Sequence, residues 1–178
     1  MTILCVMGMA FGMASAAVAL PITTATTPQW SGSVPHNPDA GDIATIVEYE
    51  GTLEDLYKQD VGGPESGSFA ASYDTAFSNT PTDPEDATIT YQSGEEYITG
   101  DPLYLLVKDG NHDPIWYIFD ITDWNGTEPI LIEDFWVDGG AISHVSIYGP
   151  TAVPEPGTLL LFGFGLLGVA GIRRRLTH

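Results

Sequence analysis

The side chains best spaced for metal chemistry lie in one short tract. Asp109, Asn111 and Asp113 alternate, and Asp120 is the twelfth residue counted from Asp109. Calcium takes oxygen ligands from alternating loop positions closed by a twelfth-position acid. The match is partial. Pro114 holds the sixth position, where an EF-hand loop turns on Gly, and the flanking apolar runs suit strands rather than helices. The tract therefore reads either as a Ca2+ site made by Asp109, Asn111, Asp113 and Asp120 or as an acidic hairpin turn. Diffuse divalent binding by counter-ion relief is the broader expectation for so acidic a chain.

A second candidate chemistry is sugar stacking. Trp116, Trp124 and Trp136, with Tyr117 beside the first, fall in the strand-dense half. Exposed coplanar rings would make a glycan platform, whereas buried ones would belong to the core.

Catalytic constellations are missing from the sequence. It contains no Gly-x-Ser-x-Gly elbow, no His-Glu-x-x-His and no Walker-type loop. No arginine precedes Arg173, so the body offers no guanidinium clamp for phosphate or carboxylate. Ser143 and His144 are adjacent, and on a regular strand they face opposite sides, which predicts that they do not pair. His112 falls in a turn and His144 on a strand, both read as ordinary polar positions. The one cysteine, Cys5, lies in the first apolar stretch, so the body has no disulfide, thiolate metal site or cysteine nucleophile. Paired carboxylates can cleave glycosides, but with 23 acids between residues 20 and 150 such pairs occur by density alone. The expectation is a non-enzyme.

The elements that would position these residues are strands. Ile43, Thr45, Val47 and Tyr49 alternate at period two, Ser68 to Phe77 is a weaker run, and Thr88 to Tyr91 is short and β-branched. Leu53 to Lys58 could make a helical turn. Leu103 to Lys108 and Ile115 to Ile121 predict a hairpin across Asp109 to Pro114, a stretch of turn formers. Ile130 to Val137 and Ala141 to Tyr148 predict a second hairpin near Asp138-Gly139-Gly140. Seven or eight strands at these spacings predict an all-β fold, a single antiparallel β-sandwich of jelly-roll or immunoglobulin-like order. It would span residues 39–149, after a Pro/Thr/Ser-rich linker at 20–38 and before a second linker at 150–156.

Charge and hydropathy set the two ends apart. The chain of 178 residues has 24 acids and 5 bases, and no charged side chain precedes Asp39. Residues 20–150 hold only Lys58 and Lys108 against their acids, for a net charge of −21. Such a body repels nucleic acid and anionic headgroups, which argues against a nucleic-acid partner. Residues 1–19 are uncharged and end in Ala14-Ser15-Ala16 and Ala17-Val18-Ala19, as a secretory signal peptide does. No Lys or Arg opens the stretch, which predicts a start codon upstream of Met1. At the other end, residues 157–172 run without a charge and are followed by Arg173, Arg174 and Arg175. As a transmembrane helix this tract reaches about 24 Å at about 1.5 Å per residue, short of a hydrocarbon core of about 30 Å. The arginine cluster in residues 173–178 predicts a cytoplasmic tail, with the body on the other side of the membrane.

Val153-Pro154-Glu155-Pro156, the short apolar span and Arg173-Arg174-Arg175 together resemble the PEP-CTERM sorting signal of Gram-negative bacteria. The resemblance covers about the last 26 residues and rests on the order of its three parts. It implies export, anchoring in inner-membrane lipid on the periplasmic side, and processing by an exosortase near Pro154, Glu155 and Pro156, with a final address at the cell surface or outside. It also implies an association with exopolysaccharide or biofilm systems. Both prolines disfavour helix, which would keep the tripeptide extended and open to an enzyme. The run from Tyr104 to Gly149 is similar to a body module of other PEP-CTERM proteins, through Leu105 to Asn111, Trp116-Tyr117, Trp124-Asn125-Gly126 and Gly140 to Val145. That similarity implies no activity. The expected function is a non-catalytic envelope or matrix protein, with a carbohydrate- or calcium-binding module as the alternative.

Overall fold

The computed structural model describes residues 19–150, apart from 24, 27–28, 34–36, 79–83, 111 and 137–138. The predicted signal peptide at 1–19, apart from its last residue, the Pro-Glu-Pro tract, the predicted transmembrane helix and the basic tail lie outside the described residues. Among those described, no helix is long and apolar enough to cross a membrane.

The described residues form, in chain order, ten strands and one helix: β1 (Leu20–Thr23), β2 (Trp30–Gly32), α1 (Ala40–Ile46), β3 (Leu53–Asp60), β4 (Glu65–Ser66), β5 (Tyr73–Phe77), β6 (Ala87–Tyr91), β7 (Tyr104–Asp109), β8 (Trp116–Asp120), β9 (Ile130–Glu133) and β10 (Ile142–Pro150). They form a four-stranded sheet in the order β1-β9-β6-β5 and a six-stranded sheet in the order β2-β8-β7-β10-β3-β4. The main core draws on both sheets. Ile22, Ile89, Ile130 and Ile132 come from the smaller one, and Tyr57, Leu105, Val107, Phe119, Val145 and Ile147 from the larger.

A second, smaller core lies on the opposite face of the six-stranded sheet. There Ile43 and Val47 of the helical segment meet Leu53, Tyr104, Leu106, Ile118 and Tyr148. Strands β7 and β10 are therefore covered on both faces. That is why Tyr104–Asp109 and most of Ile142–Pro150 are buried without alternation.

The β7–β8 hairpin is as expected, with Leu106 opposite Ile118. Other elements differ. The alternating residues from Ile43 to Tyr49 are not a strand: 40–46 is helical. Asp39 accepts hydrogen bonds from the main-chain N–H groups of Gly41 and Asp42 at 2.9 and 3.0 Å, and Asp42 accepts from the Asp39 N–H at 3.1 Å. This reciprocal cap starts the helix, and Ala40, Ile43, Ala44 and Val47 then fall on one face. Conversely, Leu53 to Lys58 is strand. The pairing skips one residue at Leu56, since Ile147 faces Tyr57 and Tyr148 faces Asp55. This bulge turns both Leu56 and Tyr57 inward and gives the sequence a false helical spacing.

The second predicted hairpin is also corrected. Strands β9 and β10 exist but pair in different sheets, β9 with β1 and β6, β10 with β7 and β3. Between them the chain crosses from sheet to sheet through Asp134 and Trp136, at φ 61° and 57°, and Gly139 and Gly140, both at φ 122°. Residues 20–38, expected as a linker, supply an edge strand to each sheet. The β1–β9 pair is parallel, a departure from the wholly antiparallel order expected.

Candidate functional site

The turn from Asp109 to Pro114 is held by Asp109, whose side chain is buried at the end of β7. One carboxylate oxygen accepts from the His112 N–H at 2.9 Å and the other from the Ala141 N–H at 2.5 Å. The carboxylate thus joins this turn to the one ahead of β10. Gly140 is required there, because a Cβ would meet the Asp109 carboxylate at 2.6 Å. Asp113 is exposed and accepts from the Ser33 hydroxyl. Asp120 stands at the far end of β8, opposite Tyr104, about 16 Å of strand away from Asp109. Asn111 lies outside the described residues. The predicted Ca2+ ligands are therefore not gathered. No group of three His, Cys, Asp or Glu among the described residues is placed to hold a metal.

The tryptophans do not form a platform. Trp116 and Trp124 are each 6% exposed. Trp116 lies against Gly32, where any Cβ would overlap its ring. Trp124 donates from Nε1 to the Glu128 carbonyl at 2.8 Å and sits 5.7 Å from the Tyr73 ring. Trp136 is half-buried, donates from Nε1 to the Pro114 carbonyl at 3.0 Å, and packs on Tyr117 and Phe135. Among the described residues the exposed large hydrophobic side chain is Tyr97.

Sequence reasoning missed a polar cluster on the helix-bearing face of the six-stranded sheet. Cross-strand register sets Trp116, Lys108, His144 and Asp60 in one row, and Ile118, Leu106, Ser146 and Lys58 in the next. Both lysines of the body thus flank His144. Lys108 is buried and donates from Nζ to the Asp109 carbonyl at 2.7 Å. Lys58 Nζ lies 3.4 Å from Asp60 Oδ1. The signal was available: they are the only two cations in a body of net charge −21.

The same cluster corrects the expectation for Ser143. Ile142 faces Asp109 and His144 faces Lys108, so Ser143 is an extra, bulged residue. The bulge undoes the alternation and places Ser143 Oγ 3.4 Å from His144 Nδ1. Asp60 Oδ1 lies 3.7 Å from that same nitrogen. A nucleophile–base–carboxylate relay needs the two partners on different ring nitrogens, so this grouping is not one. Burial, then the charge of Lys58, push the His144 pKa down to about 4, against the opposing pull of Asp60. The ring is neutral at pH 7, and its contact with Asp60 is not an ion pair. Burial likewise lowers the Lys108 pKa and raises that of Asp55.

The described chain enters and leaves at one end of the sheets. Leu20 lines a cleft of about 560 Å³ with Asp101, Asp120, Asp123 and Glu128. Pro150 lines a second of about 250 Å³ with Glu54 and Glu96. Four residues beyond Pro150, at Pro154, the Pro-Glu-Pro tripeptide begins.

Residues 152–175 match the family model of the PEP-CTERM protein-sorting motif. The match takes in Pro154, Glu155, Pro156, the apolar span and Arg173 to Arg175. No curated protein and no solved structure matches the chain. The chain carries a PEP-CTERM sorting signal, which marks an exported protein anchored in a membrane for processing by an exosortase.

Proposed function

We propose that this is a non-catalytic envelope or matrix protein whose body is delivered outside the cytoplasm by its sorting signal. The observation that carries the reading is the sorting-motif match at residues 152–175. In this account the apolar span lodges in the inner membrane. Arg173 to Arg175 stay cytoplasmic because basic flanks resist translocation, and the acidic body faces the periplasm. The exosortase acts near Pro154-Glu155-Pro156, and the body passes to the surface or to the secreted matrix beside exopolysaccharide.

The non-catalytic part of the reading is supported by the placement of Ser143, Asp60 and His144, whose contacts converge on one ring nitrogen of a side chain only 3% exposed. A structural role is supported by the packing of the aromatic rings and by the Asp109 carboxylate, which is spent on closing two turns. The test is fractionation of a tagged chain with Pro154-Glu155-Pro156 intact and replaced by alanines. The intact form should leave the inner membrane and the alanine form should stay there. Identical fates for the two would refute exosortase handling.

A further inference from the structure

Of the four asparagines in the chain, Asn125 alone heads an Asn-x-Ser/Thr triplet, Asn125-Gly126-Thr127. In a protein delivered outside the cytoplasm that triplet is the acceptor pattern for N-linked saccharides, and it must lie on a surface turn to be reached.

The fold supplies that turn and fixes its shape. Asn125 and Thr127 are exposed, whereas Trp124 and Gly126, on either side of Asn125, are buried. Trp124 donates from Nε1 to the Glu128 carbonyl at 2.8 Å, and the Tyr73 hydroxyl donates to the Gly126 carbonyl at 2.7 Å. Asn125 Oδ1 accepts from the N–H groups of Thr127 and Glu128, each at 2.9 Å, and from the Thr127 hydroxyl at 3.2 Å. An amide oxygen has two lone pairs, so three donors saturate this one and decide which end of the amide faces the turn. Nδ2 is the outward end, and among the described residues it meets no acceptor.

Turn closure accounts for Oδ1 and for Gly126. It gives no role to Nδ2, nor to Tyr97, the exposed large hydrophobic side chain among the described residues, at 46%. Tyr97 borders this same turn. A Cβ on Gly126 would lie 2.8 Å from its Cδ2, and its ring meets Tyr91 edge to face at 6.0 Å. Aromatic rings carry a negative face, on which the polarised C–H groups of a pyranose pack. The acceptor amide and an open aromatic ring therefore stand side by side.

We propose that Asn125 is a site of N-linked glycosylation and that the Tyr97 ring packs on the first sugar. The proposal rests on delivery of the body outside the cytoplasm. The donor is a saccharide carried on lipid pyrophosphate. Nδ2 forms a bond to C1 of that saccharide, and the C1–O bond to the pyrophosphate breaks. The lipid pyrophosphate leaves with the electron pair, and Nδ2 gives one proton to the transferring enzyme. Thr127 is a positioning residue, since it acts by holding Oδ1.

The test is intact mass and glycopeptide fragmentation of the full chain exported by its own host. The unaltered chain should carry one saccharide, on Asn125. Asn125→Gln and Thr127→Val should lose it, and Thr127→Ser should keep it, with thermal melts confirming that each variant folds. The saccharide should raise the melting temperature by about 3 °C over the same sequence made in cells that lack an N-linking oligosaccharyltransferase. In Tyr97→Ala it should bring no such gain. An exported chain with a bare Asn125, or with only the mass change of deamidation through Gly126, would overturn the proposal while leaving export intact. An equal thermal gain in Tyr97→Ala would overturn the part given to the ring. A chain retained in the cytoplasm would instead sink the underlying reading.

Discussion

Acid should destabilise this body through one histidine. His144 is 3% exposed, and its pKa falls to about 4 through burial first and the nearby Lys58 charge second. In the unfolded chain the same ring titrates near 6.5. Between those values the unfolded chain takes up a proton that the native state refuses, so stability is lost as pH falls from about 6.5 to about 4. The loss is complete below the folded pKa, and nothing is lost above about pH 7. A gap of about 2.5 units corresponds to about 3 kcal/mol. Carboxylates protonate in the same window and relieve the self-repulsion of a net charge of −21, so the raw stability curve mixes opposing effects. The clean quantity is the difference between the unaltered body and His144→Gln in urea unfolding of residues 20–150 at pH 7.5, 6, 5 and 4. That difference should move by about 3 kcal/mol against the histidine form between the ends of the series. In a Lys58→Met background the movement should shrink, because one of the charges holding the ring neutral is gone. Parallel pH curves for the histidine and glutamine forms would refute the reasoning.

Three further perturbations test the local physics. Asp39→Ala removes the cap of α1 and should cost about 1 kcal/mol in chemical denaturation, while Asp39→Asn should cost far less. Gly126 sits at φ 80°, where a Cβ would overlap the Ile98 carbonyl oxygen. Gly126→Ala should therefore lower stability by at least about 2 kcal/mol, combining left-handed strain with overpacking. Asp109→Ala should cost about 2–3 kcal/mol by stranding the His112 and Ala141 N–H groups. Its thermal shift with millimolar calcium should equal that of the unaltered body at matched ionic strength. A calcium shift present in the unaltered body and abolished by this substitution would return the metal to that turn.

The sequence made some of this architecture readable, and specific local devices concealed the rest. The β7–β8 hairpin was legible because a run of turn formers separates two apolar segments. The helix at 40–46 was hidden because Ile43, Thr45 and Val47 imitate strand alternation, although Asp39 and Asp42 spell out the cap that decides the matter. Strand β3 was hidden by its bulge at Leu56, which leaves buried residues at 53, 56 and 57, three and four apart. The pairing of β9 and β10 with different sheets could not be read, since both are apolar strands joined by a Gly-Gly turn, as a hairpin would be. Among the site residues, the tryptophans could not be assigned to surface or core without the packing around Gly32 and Tyr73. The gathering of Lys58, Lys108 and His144 depends on cross-strand register, which composition does not carry, and the contact between Ser143 and His144 depends on a bulge. The sorting tract needs no fold to be recognised, because its meaning lies in the order of motif, apolar span and basic stop.

The most direct measurement is the carboxyl terminus of the mature protein, read by intact mass from cells with and without the exosortase. With the enzyme present, the chain should end at or near Pro156 and lack the apolar span and Arg173 to Arg175. Without it, the span should remain attached and the protein should stay in the membrane fraction. An unprocessed chain still carrying its arginines in both strains would contradict the account.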